Sequence, residues 1–65
     1  MNIREIIEVE AGEPVTDDTL LDSLDVDSLE FLHMLIQLQE ATGKELPDDR
    51  IAGLRTVGDI VRELS

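Results

Sequence analysis

Cysteine, tyrosine and tryptophan are missing from this chain, and Phe31 is its one aromatic residue. Without cysteine there is no disulfide and no thiolate metal site, so any thiol chemistry must come from something attached. With a single ring available, the core must be aliphatic: 42% of the residues are hydrophobic, most of them Leu, Ile and Val. Basic residues are also scarce, five against sixteen acids, for a formal charge of −11. That imbalance repels nucleic acid and anionic lipid, favours partners with Lys/Arg patches, and strains the compact state by self-repulsion.

The remaining absences narrow the function further. His33 is the only histidine, with no second ligand at fixed spacing, so neither a metal centre nor a Ser/His/Asp triad is expected. Asp25 and Asp27 hint at a calcium loop, but Leu29, Glu30 and Ile36 stand where that loop needs an oxygen ligand, a glycine and the final glutamate. No run approaches membrane-spanning length, and the opening "MNIREIIEVE" alternates charge with isoleucine rather than forming a signal-peptide core. The 65 residues read as one domain, 1–65, too small for an enclosed catalytic cavity. A cytoplasmic monomer that is not an enzyme, without stable membrane insertion, is the expectation.

What is present reads as an all-α chain, without a repeat or a low-complexity tract. Ile3, Ile6, Ile7 and Val9 suggest the apolar side of a short first helix, with Asn2 and Glu5 resembling a capping box and Gly12 with Pro14 marking its end. A long loop from Glu13 to Asp27 follows, dense in Asp, Thr and Ser, with Leu20, Leu21, Leu24 and Val26 placed to pin it to a core. The second helix should run from Ser28 to Thr42-Gly43, with Asp27 as N-cap and Glu30 completing the box. "PDDRIAGL" suggests a short third helix ending around Gly53. Thr56 and Asp59 cap a fourth, with Val57, Ile60, Val61 and Leu64 on one face.

The second helix has more apolar surface than one core can cover. Phe31, Met34, Leu35 and Leu38 form a core set, while Leu29, Leu32 and Ile36 form a second row beside the polar arc of Glu30, His33, Gln37 and Glu40. Leu29 and Ile36 stand evenly between core and docking surface; Leu32 reads as the core-leaning member of the strip. His33 reads as a surface residue at its edge.

The run Asp27-Ser28-Leu29, opening an apolar helix after an acidic loop, resembles the attachment motif of the acyl carrier proteins, a phosphopantetheine-binding family. "GKELPDD" falls where that family has its glycine and hydrophobic-proline turn, and "LRTVGDIVREL" is similar to its closing helix. A lone D-S-L recurs by chance; three landmarks in register are far more specific. The resemblance implies a small four-helix bundle with a long first loop and a short third helix. It implies that a phosphopantetheinyl transferase moves 4′-phosphopantetheine from coenzyme A onto Ser28, flanked by Asp27 and Leu29. The chain then carries acyl groups as thioesters in a fatty-acid, polyketide or related pathway, with Glu30, Leu32, His33, Ile36 and Glu40 meeting basic docking patches on acyl-transferring or acyl-modifying enzymes. His33 and Gln39, where carriers of general fatty-acid synthesis have further acids, and a trimmed first helix make a dedicated pathway at least as plausible as general fatty-acid synthesis.

Independently of the family, the first residue of a helix lies among unpaired N–H groups and the positive dipole end, which favour a phosphodiester by roughly 0.3–1 kcal/mol. Asp22-Ser23-Leu24 repeats the tripeptide, but no uninterrupted apolar period follows it, so Ser23 reads as a turn residue. Two other readings stay open: a peptidyl or aminoacyl carrier with the same arm, and an unmodified acidic interaction module.

Overall fold

Asn2 starts the chain's first helix by accepting the Glu5 N–H on its side-chain oxygen at 2.8 Å. A computed structural model describes residues 2–65. The reciprocal arm of the cap comes from the Asn2 side-chain amide, which donates to Glu5 Oε1 at 3.0 Å. The helix, α1, spans Ile3–Ala11 and stops where Gly12 turns left-handed, φ 74°, and donates to the Glu8 carbonyl at 2.8 Å. Ile6 and Ile7 are buried, but Val9 is 73% exposed. It lies two residues beyond Ile7, about 200° round the cylinder, and so leaves the face it was expected to share.

The loop that follows is held at both flanks. Val15 is buried, and its N–H donates to Glu8 Oε2 at 2.9 Å. Further along, the loop pairs with the residues leading into the last helix: Leu21 N–H to the Arg55 carbonyl at 2.9 Å, Val57 N–H to Thr19 at 3.0 Å, and Gly58 N–H to Asp17 at 2.9 Å. Leu20 and Thr56 form the antiparallel bridge at the centre of this seam. Leu20, expected as an anchor, is 56% exposed at this bridge, while Leu21, where the chain leaves extended backbone, is buried. Leu21–Ser23 makes one 3-10 turn; Leu24 is buried and Val26 half-buried. The close approach at Gly58 requires a glycine, since a Cβ there would lie 2.9 Å from the Asp17 carbonyl oxygen.

Helix α2, Ser28–Thr42, is the longest element, closed by Gly43 at φ 72°. A single helical turn, α3, covers Asp48–Ile51 and runs into a turn at Ala52 and Gly53. Helix α4, Val57–Leu64, begins in the anticipated box, with the Asp59 N–H on Thr56 Oγ1 at 3.1 Å and the Thr56 N–H on Asp59 Oδ2 at 3.0 Å. The four helices enclose one aliphatic core whose fully buried members include Ile7, Met34, Leu35, Leu38, Val57 and Ile60. Phe31 and Val61 pack at its margin rather than inside. Among the described residues no strand forms, and no helix is long and apolar enough to cross a membrane.

Candidate functional site

Local hydrogen bonding builds the start of α2. Asp27, in extended backbone, accepts the Glu30 N–H on Oδ1 at 2.8 Å, and its own N–H donates to Glu30 Oε1 at 3.2 Å. Both carboxylates flanking Ser28 are therefore turned onto backbone donors, which offsets the repulsion they would exert on an anion at the helix end. Ser28 is the first helical residue and is exposed. Among the described residues no side-chain hydrogen bond engages its hydroxyl, whereas Ser23 Oγ, inside the 3-10 turn, donates to the Leu20 carbonyl at 2.6 Å. The two Asp-Ser-Leu serines thus differ physically: one hydroxyl is tied into a turn, the other stands free beside the positive end of a helix. Ser28 fits a covalent phosphodiester.

Next to Ser28 lies a cleft of about 310 Å³, bordered by Leu24, Val26, Phe31, Ile51 and Leu54. Phe31, three residues on and on the same side of the helix, sits here because it lies at the edge of the core. Phe31 was expected inside the core set, and its place at this cleft was not anticipated. The approach of Ile51 and Leu54 depends on how α3 folds back, which nothing local encodes.

Along α2 the apolar second row is open. Leu29 is 77% exposed, Leu32 51% and Ile36 53%, with Glu30, His33 and Glu40 exposed around them. The core reading of Leu32 is corrected: the buried arc is centred on Leu38, and a six-residue separation puts Leu32 roughly 120° away from it, with Leu29 diametrically opposite. His33 does more than decorate the surface. Its Nδ1 lies 3.3 Å from Glu10 Oε1, linking α2 to α1. The α1 side of this neighbourhood, Val9 and Glu10, was missed, because no periodicity within one helix reveals which neighbour comes alongside.

Away from this surface, the ionisation of Asp59 is displaced from its ordinary value. Backbone N–H groups of Arg55 and Thr56, at 2.9 and 3.0 Å, hold its carboxyl below the usual aspartate value, aided by the Arg62 guanidinium. It serves the cap of α4 rather than the Ser28 neighbourhood.

Comparison with known proteins bears on the same residues. The family described as "Phosphopantetheine attachment site" matches residues 2–64. An acyl carrier protein of Rhodococcus erythropolis is 41% identical over 59 residues, covering 91% of this chain and 65% of its own length. Meromycolate extension acyl carrier proteins of Mycolicibacterium aurum and Mycobacterium tuberculosis are each 39% identical over 59 residues, again 91% of this chain, with 61% and 51% of their own lengths covered. The chain thus spans between half and two-thirds of the length of these curated relatives. With a four-helix bundle, a free serine at the head of α2 and a family match over nearly every residue, the chain belongs to the acyl carrier proteins of the phosphopantetheine-attachment family.

Proposed function

We propose that Ser28 is the attachment residue and that this chain shuttles acyl groups between enzymes rather than transforming them. The observation that carries the reading is the exposed, unengaged hydroxyl of Ser28 at the first position of α2, immediately after its capping Asp27. In loading, Ser28 Oγ forms a phosphodiester at the pantetheine phosphate of coenzyme A, the pyrophosphate bond breaks, adenosine 3′,5′-bisphosphate leaves, and the hydroxyl proton passes to a base of the transferase. When bound, the arm supplies a terminal thiol that holds an acyl group as a thioester. The chain's own residues do the rest. The unpaired N–H groups of the first turn would favour the new anion, Asp27 and Glu30 hold the helix end through their box, and the absence of cysteine leaves no native thiol to compete.

Leu29, Leu32 and Ile36 supply apolar contact to visiting enzymes, and Glu30, Glu40 and His33 surround it; charge steers encounter with basic docking patches and the apolar contacts hold the complex. These enzymes are the loading transferase and those that transfer or modify the cargo. A charge of −11 disfavours pairing of two copies, so the carrier acts as a monomer, in the cytoplasm. The names of its relatives support acyl rather than aminoacyl cargo, and the meromycolate extension carriers among them support a pathway of acyl-chain extension.

The deciding experiment weighs protein incubated with coenzyme A and a phosphopantetheinyl transferase. Wild type and Ser23→Ala should each gain one phosphopantetheinyl increment, and Ser28→Ala none. A loaded Ser28→Ala would move the site elsewhere.

A further inference from the structure

The seam between α1 and α2 carries apolar surface beyond the α2 strip. Val9, 73% exposed, borders an open hollow of about 480 Å³ formed with Ile6, Gln37, Glu40 and Ala41. A second hollow nearer Ser28 is floored by Leu29 and ringed by Glu10, Asp27, Glu30 and His33. On α2 the two are centred about nine residues apart, or about 13 Å along the axis. Apart from His33, every ionisable side chain lining either hollow is a carboxylate. A second copy of this chain would therefore set acid against acid, while a cationic surface is complementary.

We propose that the enzyme loading Ser28 seats on this seam as well as on α2, so that α1 takes part in recognition through Val9 and Glu10. The fitting partner surface is amphipathic and cationic. One apolar side chain enters the Val9 hollow, another meets Leu29, and Lys or Arg side chains face Glu10 and Glu40. Ser28 and Glu40 are twelve residues apart, about 18 Å along α2, within the span of an interface burying about 800 Å² on each partner. The inference rests on the carrier reading of Ser28 and extends its docking surface to a second helix.

The test measures steady-state loading by a broad-specificity phosphopantetheinyl transferase with coenzyme A, comparing wild type, Val9→Lys, Val9→Thr and Asp18→Asn. Asp18 is exposed in the first loop, and its substitution changes net charge as Val9→Lys does. Val9→Lys should lower kcat/KM about tenfold, mainly through KM and less so at high salt, because an apolar contact is lost and a cation meets cations. Val9→Thr should lower it about threefold with no charge change, and Asp18→Asn by less than about twofold. Helix content and melting temperature confirm that each variant folds; if Val9→Lys does not, Val9→Thr decides. Loading of the Val9 variants at the wild-type kcat/KM overturns this proposal alone. A wild type that is never loaded overturns the carrier reading and this proposal with it.

Discussion

The two ends of the sequence are charged very differently. Up to Glu45 the chain holds twelve acids and two bases; after it come four acids and three bases. In the second region two of the three arginines have carboxylate partners, Arg50 on Glu63 at 3.2 Å and Arg62 on Asp59. In the first, most carboxylates face water without a cation, and the same stretch contains Val9, Leu20, Leu29, Leu32 and Ile36, the large exposed apolar residues. The contrast teaches a division of labour. The α3–α4 end neutralises itself and closes the core, while the α1–α2 side keeps charge and apolar surface available to something else.

The sharpest way to break that comparison sets one residue type against itself on the two sides of α2. Leu38 is fully buried and Leu29 is 77% exposed. In urea unfolding, Leu38→Ala should cost about 2–5 kcal/mol, enough to unfold much of so small a domain. Leu29→Ala should stay within about 0.5 kcal/mol. Equal costs would mean that the outward row is structural.

Charge reversal comes next. Glu30→Lys with Glu40→Lys should slow association with a basic partner enzyme by about tenfold at low salt and by less at high salt. Asp49→Lys, in the self-neutralising region, should leave the rate nearly unchanged. A similar slowing by both would show that net charge, not its placement, steers encounter.

A smaller effect belongs to Asp59. Its folded carboxyl titrates below the ordinary aspartate value, so ionised Asp59 stabilises the fold at pH values above that ordinary value. The contribution disappears as pH falls through the lower folded value. Asp59→Asn should melt below wild type at neutral pH, with the gap closing below about pH 4; a gap independent of pH would mean that the carboxylate's charge plays no part in capping α4. The smallest response is to salt. Because the acidic region repels itself, added sodium chloride should raise the melting temperature modestly, and a flat response would show the charges already balanced.

Much of this molecule was readable because its signals are local. The Asp27-Glu30 and Thr56-Asp59 boxes and the glycine stops at Gly12 and Gly43 involve residues within four positions of each other, so spacing alone locates them. The free position of Ser28 follows from the first of these. Leu20, Val9 and Leu32 were misplaced for the opposite reason. Each faces outward because of what lies beside it: loop pairing with Thr56 for Leu20, rotation off the α1 core face for Val9, and an uncovered flank of α2 for Leu32.

From its residues alone the chain determined where helices begin and end, which serine opens the longest of them, and how acidic its surface would be. Those are properties of neighbours in sequence and of composition. Only the tertiary structure decided that residues 17–21 would pair with the start of α4, that α1 would bring Glu10 to His33, and that one row of α2 would remain uncovered. A helical period states that a face is apolar; whether another element reaches that face depends on chain segments far away in sequence.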